Sequence, residues 1–598
     1  MPDYGTQPPP PDTVTLGGGA WKDPNEGRPS RKWWYVGGGA VLAVALIAGG
    51  TVYAATQLRA QHDPGPAAGL PSDTIAYAAV DLDPSAGQKI EAIKALRKFP
   101  AFTQGVKLDP DSDLRKLFVQ KELTGGCNID WSKDVEPWLG NDIGGAVVPT
   151  DSNGPQPVAV LAVKDQAEAK KDLPKLLDCA PAPHGLSIAN GWAVIAASDS
   201  IAQGVSTSAT GDTLADDSGF KTWVDRTGDP GVATFYASKS AGTQLSGFLD
   251  KAMGELGSFG GMGSGFGSSS FAANSAYAPT AYRSNVGAAA ADDPSAPIDP
   301  FETTDPNNPF SLFMDMCPGA LSGSGGGMGS SMPGLDAQKQ ALKDFQGGAA
   351  TLRFASSGFE VETASASTAT AASNGDLTTD LGTLPADTAI AAGAADDPKV
   401  FDQVLDSFFQ GLATGCSSTP AKVEGDLSKL TGLTLPDDLT TVFGHGATLA
   451  VSGALDPASF DSPTVPTKDF PVGIRLHGDP GQITSVLKKL PGSQLQQLIA
   501  TSSGDGVVAV GPDAAYRDAL LKKGDLGSDK TFADVVPHAD KASAALFISF
   551  DRLRTIIGRD GSSDSSQVAK NLEPLSALGA SSWVDDGVSH GLLRLSTK

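Results

Sequence analysis

The chain has 598 residues, a formal net charge of -24 and a pI near 4.6. That acidic balance excludes a nucleic-acid binder, which needs clustered Lys and Arg for phosphate contacts, and a hydrophobic content of 40% excludes a chain disordered throughout. Four cysteines exclude a disulfide-dense miniprotein and a four-thiolate zinc ribbon in each domain.

Residues 1–32 carry Pro8 to Pro11 and a Gly17-Gly18-Gly19 run without apolar periodicity, which predicts a disordered tail with a short polyproline II stretch. An uncharged run follows between Lys32 and Arg59, with Trp33, Trp34 and Tyr35 at its start. Its apolar part, Val36 to Ala55, matches one bilayer core as a helix of ~30 Å. The run predicts a transmembrane helix at 33–58. Arg28, Arg31 and Lys32 place the N-terminus in the cytoplasm and the bulk of the chain outside, as a single-pass cell-membrane protein. The competing reading, a cleaved signal peptide, fits poorly with so long a leader. Residues 59–69 read as a linker.

A first repeat is expected over 70–366. The strand Thr74 to Leu82 runs into Asp83-Pro84, a cap and first-turn pair, and then a helix along Ile90, Ile93, Leu96 and Phe99 that Pro100 stops. Asp81 and Asp83 read as turn and cap residues rather than paired catalytic carboxylates. Asp109 to Asp113 begins like a calcium loop, but Leu114 and Gln120 stand where Gly and Glu are required, so Ser112 or Asp113 reads as the cap of a helix through Phe118. Further strands are predicted at Ala146 to Val148, Val158 to Val163, Trp192 to Ala197, Val232 to Tyr236 and Phe359 to Ser365, with a helix ending near Leu176. From about 256 to 334 the chain turns Gly, Ser and Met rich, which predicts a disordered insertion; the aromatics Phe259, Phe266, Phe271, Tyr277 and Tyr282 within it leave a sticky interaction segment as the alternative to a solvated spacer.

After a linker at 367–383, a second repeat is expected over 384–598. Leu70-Pro71-Ser72-Asp73-Thr74 recurs as Leu384-Pro385-Ala386-Asp387-Thr388, and Asp83-Pro84 as Asp397-Pro398, each 314 positions on. The same register pairs Val158, Asp165, Leu173, Lys175 and Leu176 with Val472, Asp479, Leu487, Lys489 and Leu490. One register held over so long a stretch reads as a tandem duplication. In the second copy Phe401, Val404, Leu405, Phe408, Phe409 and Leu412 draw one apolar helix face. Strands follow at Val472 to Leu476, Val507 to Val510, Ala544 to Phe550 and Gly591 to Ser596. Strands and helices without a βαβ rhythm predict α+β: a transmembrane helix followed by two duplicated, largely antiparallel sheet-plus-helix domains, helices on one face.

The string Trp131-Ser132-Lys133-Asp134-Val135-Glu136-Pro137-Trp138-Leu139-Gly140, with the upstream L-P-x-D-T strand and the N-terminal apolar run, resembles actinobacterial, membrane-anchored proteins of the domain-of-unknown-function family numbered 3352. The Gly and Ala content resembles that of a Streptomyces-type genome. The resemblance covers about 60 to 598 without the insertion. The second copy keeps only Asp438-Leu439 and Phe443-Gly444 of the string. The family implies no activity and no catalytic residues. The residues themselves read as a turn that packs Trp138 onto the sheet, with a ligand pocket around Trp138 as the alternative.

An exported chain allows its cysteines to pair, and Cys127–Cys179 with Cys317–Cys416 is the expected connectivity, one of three. A catalytic thiol lacks a base nearby in sequence. No zinc-ligand spacing, phosphate-binding Gly loop or dinucleotide fingerprint occurs, so no catalytic, cofactor or metal residue is predicted. Gly587-Val588-Ser589-His590-Gly591 fits G-x-S-x-G, but too little chain follows it to hold the acid and the His of such a hydrolase. The leading expectation is a non-catalytic envelope protein that binds an unknown ligand or protein. The alternatives are a hydrolase-like enzyme whose site is assembled from distant residues, and an assembly protein acting through its insertion.

Overall fold

Runs such as Val158-Ala159-Val160-Leu161 are apolar on both sides of the pleat, which requires a sheet covered on both faces. The computed structural model describes residues 65–83, 86–98, 115–116, 129–150, 154–178, 184–244, 343–355, 358–367, 378–394, 398–415, 418–461, 468–559 and 568–598. They form one antiparallel sheet of 16 strands with helices, an α+β architecture. The first half holds β1 (Ala76–Asp81), β2 (Leu139–Val148), β3 (Gln156–Val163), β4 (Gly185–Ala189), β5 (Trp192–Ala196), β6 (Ala233–Ala237), β7 (Phe345–Ala355) and β8 (Gly358–Ser367). The second holds β9 (Thr388–Ala394), β10 (Ala447–Ser452), β11 (Val472–His477), β12 (Thr501–Ser503), β13 (Val507–Val510), β14 (Ala544–Ser549), β15 (Leu575–Asp585) and β16 (Val588–Thr597).

From one edge to the middle the order is β4-β5-β3-β2-β1-β6-β7-β8, and from the other edge it is β12-β13-β11-β10-β9-β14-β15-β16. The two orders are the same. The halves join where β8 pairs with β16, from Gly358↔Ser596 to Ser365↔Ser589. The two expected repeats therefore share one sheet, and the ladder is continuous across its middle.

Helices lie on both faces, not one. On the back face, helix Gln166–Leu177 sets Ala169, Leu173 and Leu176 on Leu139, Leu161 and Ala193, and helix Ala86–Arg97 adds Ala92 and Ala95. On the front face, helix Asp199–Ser208 sets Ala202 and Val205 on Val158, Val160 and Val194, and helix Ser218–Asp225 adds Phe220 and Trp223. The second half repeats the plan. Helix Pro480–Leu487 covers Leu476 and Val508 behind, while helices Ala514–Leu521 and Lys530–Val535 cover Ala509 and Phe547 in front. Side chains alternate between faces along each strand, so neighbours such as Val160 and Leu161 serve opposite cores.

Acidic caps start many of these helices. Asp165 accepts from Ala167 and Glu168 N–H, and Asp479 from Gln482 N–H; Asp217 accepts from Phe220 and Asp529 from Thr531. Part of the negative charge is thus spent on free N–H groups at helix starts. The 314-residue register holds at Asp165 and Asp479 but not throughout the fold: Asp217 and Asp529 stand 312 apart. Tyr77, Ala146 and Val158 form one cross-strand row, and its counterpart is Ala391, Ala450 and Gly473. The partner of Val158 in the sheet is therefore Gly473, one residue past Val472, which packs with Phe470 and Ile390 on the back.

The membrane expectation is also corrected. Among the described residues no helix is long and apolar enough to cross a membrane. The transmembrane element of the expected fold class, and the single-pass placement built on it, therefore do not stand; the segment 33–58 itself lies outside the described residues. So do the tail 1–32 and the insertion at 256–334. Two stretches read as linker hold structure. Gly65–Gly69 is a 3-10 turn with Pro66 and Ala67 buried, and Thr378–Leu381 is a short helix with Leu381 buried.

Candidate functional site at the midline of the sheet

The strands β7, β8, β16 and β15 lie side by side at the middle, and their register stacks three rows on the front face. One row is Arg353, Glu360, Arg594 and Gly579; the next is Thr351, Glu362, Leu592 and Ser581; the last is Ala349, Ala364, His590 and Trp583. Exchanging the halves turns the first row into the last. Positions equivalent in topology thus hold Arg353 and Glu360 at one end and Trp583 and His590 at the other.

The first row is a buried ion-pair ladder. Arg353 is 8% exposed and Glu360 6%. Arg353 Nη1 lies 2.7 Å from both Glu360 Oε1 and Glu362 Oε2, and Arg594 Nε lies 2.5 Å from Glu360 Oε2. Arg353 Nη2 donates to Thr227 O, and the hydroxyls of Thr227 and Thr351 meet at 2.5 Å. Burial opposes the charge of Glu360, but the hydrogen bonds from Arg353 and Arg594 hold its carboxyl below the usual range. The loop after helix Ser218–Asp225 comes so close that a Cβ on Gly228 would stand 3.0 Å from Glu362 Oε2, and Gly228 takes φ +77.

The last row is aromatic. Trp583 is buried, with His590 stacked on it at 5.3 Å and 7°, and His538 tilted against it at 4.4 Å. Lys541 Nζ sits 4.9 Å from the Trp583 ring centre. Burial lowers the pKa of both imidazoles; Lys541 also lowers that of His538, while Glu362 and Asp585 oppose the shift at His590. His590 Nδ1 and Ser581 Oγ are buried and have no hydrogen-bond partner among the described residues. In the first half, Arg226 lies 5.0 Å over Trp223, whose indole fills the space a side chain at Gly347 would need.

A second buried guanidinium distinguishes the front face of the second half. The row Ala79, Gly144, Val160, Val194 has the counterpart Gly393, Thr448, Arg475, Ala509. Arg475 donates to Leu520 O, Asp380 O, Thr383 O and Thr383 Oγ1, while His477 Nε2 stands 2.7 Å from Asp380 Oδ1. Its donors are committed to carbonyl and hydroxyl oxygens, so Arg475 pins two helix ends to the sheet.

The residues singled out from sequence fall elsewhere. Cys127, Cys179, Cys317 and Cys416 lie outside the described residues, as does the loop Asp109 to Asp113. Asp81 Oδ1 accepts from Asp83 N at 2.9 Å, a turn contact. Trp138 is 1% exposed and donates Nε1–H to Asp134 O at 2.7 Å, which makes it a core residue of the back face rather than the wall of a pocket. Asp134 accepts from Asp130 N at 2.9 Å, and Asp438 accepts from Thr434 N at 2.6 Å. The aspartate retained in both copies of the string therefore closes the same four-residue turn. Ser589 and His590 are successive on β16 and point to opposite faces, so they form no nucleophile–base pair.

His590 was met in sequence only inside the G-x-S-x-G string, and the other midline side chains were not singled out, although β8 carried a signal: Phe359-Glu360-Val361-Glu362 alternates apolar and acidic residues within an interior strand. Among the described residues no group of three or more His, Cys, Asp or Glu is arranged to hold a metal ion. The arrangement can hold charge, accept protons at two imidazoles and meet an acidic group; it presents no activated nucleophile.

No curated protein and no solved structure matches the chain. Residues 36–182, which take in β1 to β3 and the Trp138 string, match the model of a family described as "Protein of unknown function (DUF3352)", and that stretch of the chain is similar to the family.

Proposed function

We propose that the chain is a non-catalytic binding protein whose recognition surface is the front-face midline, and that the group it takes there is a small anion, a carboxylate or a phosphate. The observation that carries this reading is the convergence around His590, whose buried Nδ1 has no partner among the described residues, of a cation from each half, Arg226 and Lys541. The chain as a whole is strongly acidic, so two cations set over aromatic rings beside one imidazole are a departure from its background. The same overall charge disfavours nucleic acid as the partner. We further read the two halves, 70–366 and 384–598, as tandem copies; their common strand order supports this.

Citrate and inorganic phosphate serve as probes. Calorimetric titration of the full chain with each is expected to show saturable binding that R226Q/K541Q loses. Heat traces identical for the variant and the unaltered protein would sink the assignment.

A further inference from the structure

We infer that the Trp583 end of the midline is an acid-responsive latch: protonation of His538 and His590 releases the His538 end of the segment 530–541 from the front face of the sheet. The geometry is a sandwich. His590, on β16, lies parallel to the buried indole, and His538, carried by the covering segment, closes against it at 4.4 Å. Phe532 and Val535 hold the start of the cover on Phe547 and Ala577, and Trp583 is the contact that holds its His538 end.

The charges that face this sandwich come from every element around it. His538 meets Lys541 and Asp540 on its own segment, Glu362 on β8 and Arg594 on β16. His590 meets Glu362 on β8, Asp585 at the end of β15, Lys541 on the cover and Arg226 from the first half. The carboxylate common to both rings, Glu362, already accepts from Arg353. Two imidazolium ions would thus join Lys541, Arg226 and Arg594; Asp540 faces His538 and Asp585 faces His590, but Glu362, the one carboxylate common to both rings, is already engaged by Arg353. Burial, which disfavours the charged form of each ring, acts in the same direction. Opening the cover hydrates both rings and removes the conflict. Arg594 Nη1 also reaches Asp534 O at 3.2 Å, so the ladder end of the midline holds the start of the same segment and limits the opening to its His538 side.

The device does not depend on the anion reading, and its test contains no anion probe. Hydrogen exchange of the full chain, corrected for the intrinsic effect of pH, is compared at pH 7.5 and 5.5. Peptides over 530–545 are expected to open more at the lower pH by up to about tenfold for each ring, the limit set by open-state rings that titrate near 6.5, while 472–477 stays protected. In H538Q/H590Q the protection of 530–545 is expected to be the same at both pH values. An equal response in variant and unaltered protein, or no response in the unaltered protein, overturns the latch. If the variant fails to fold, ring-proton titration of the unaltered protein decides. Two histidines titrating together with loss of 530–545 protection support the latch, and all rings titrating while protection stays intact overturns it.

Discussion

The two ends of the midline share a backbone plan and differ in chemistry. At one end Arg353 and Arg594 are balanced by Glu360 and Glu362 in a ladder whose centre is buried; at the equivalent end Trp583 and His590 present uncharged rings. The difference teaches that a strand pair buried under helices tolerates polar side chains in two ways. It can pair full charges so closely that none is left over, or it can keep titratable rings neutral. The first way is indifferent to pH near neutrality. The second makes the site sensitive to protons.

The largest expected effects break each end separately. Arg353→Met leaves Glu360 buried without its main partner and is expected to cost about 3–5 kcal/mol, read as a lower urea midpoint; R353M/E360L is expected to recover part of it, since it removes the orphaned buried carboxylate while Glu362 and Arg594, both more exposed, each lose one partner. Trp583→Ala empties a packed site and is expected to cost about 3–5 kcal/mol, with no recovery from any change at Glu360. If R353M/E360L stays as unstable as R353M, the ladder is not a closed unit and the comparison fails.

A middle-sized effect is expected at Arg475, where the second half replaces Val160 of the first. Arg475→Leu leaves Leu520 O and Asp380 O without their donor and is expected to cost about 1–3 kcal/mol for each acceptor left dry. Val160→Ala in the first half is a cavity change, and only the Arg475 variant is expected to loosen helix Ala514–Leu521 in hydrogen exchange.

Acid separates the ends by sequence of events. The folded pKa values of His538 and His590 lie below the ordinary 6.5, so the unfolded chain binds more protons there. Their contribution is complete above 6.5 and is lost as pH falls below it. Glu360 is held below its ordinary 4.5, so the ladder keeps its contribution above 4.5 and loses it only as pH falls further. Unfolding midpoints against pH are expected to fall in two steps, the first absent in H538Q/H590Q. A single step near 4.5 in the unaltered protein would remove the distinction between the ends. The smallest effect is expected from Lys541→Ala, about 0.5–1 kcal/mol through the lost contact with Trp583, visible as a change in the pH of the first step more than in stability at pH 8.

Much of the sheet was legible because strand patterns are local. Thr74 to Leu82, Val158 to Val163, Trp192 to Ala197 and Val507 to Val510 each became a strand within a residue or two, and Asp165 and Asp479 cap helices as their spacing implies. The strands β7 and β15 were not read, because Gly347-Gly348 and Gly579 with Ser581-Ser582 dilute their apolar alternation. Those glycines are demanded by tertiary contacts: a side chain at Gly579 would strike Val535 O of the covering helix. The string Trp131 to Gly140 marked a structural turn, since Asp134 accepts from Asp130 N–H and Trp138 donates back to Asp134 O.

By itself the sequence determined the acidic surface, the α+β content, the caps and the recurrence of one pattern 314 residues on, because each rests on neighbours a few residues apart or on a count. Only the tertiary structure decided that the halves share one sheet, that helices cover both of its faces, and that Arg353, Glu360, Trp583, His538 and His590 meet at its centre. Those residues are up to 237 positions apart, from Arg353 to His590, and their meeting depends on the pairing of β8 with β16, a contact that no local preference encodes.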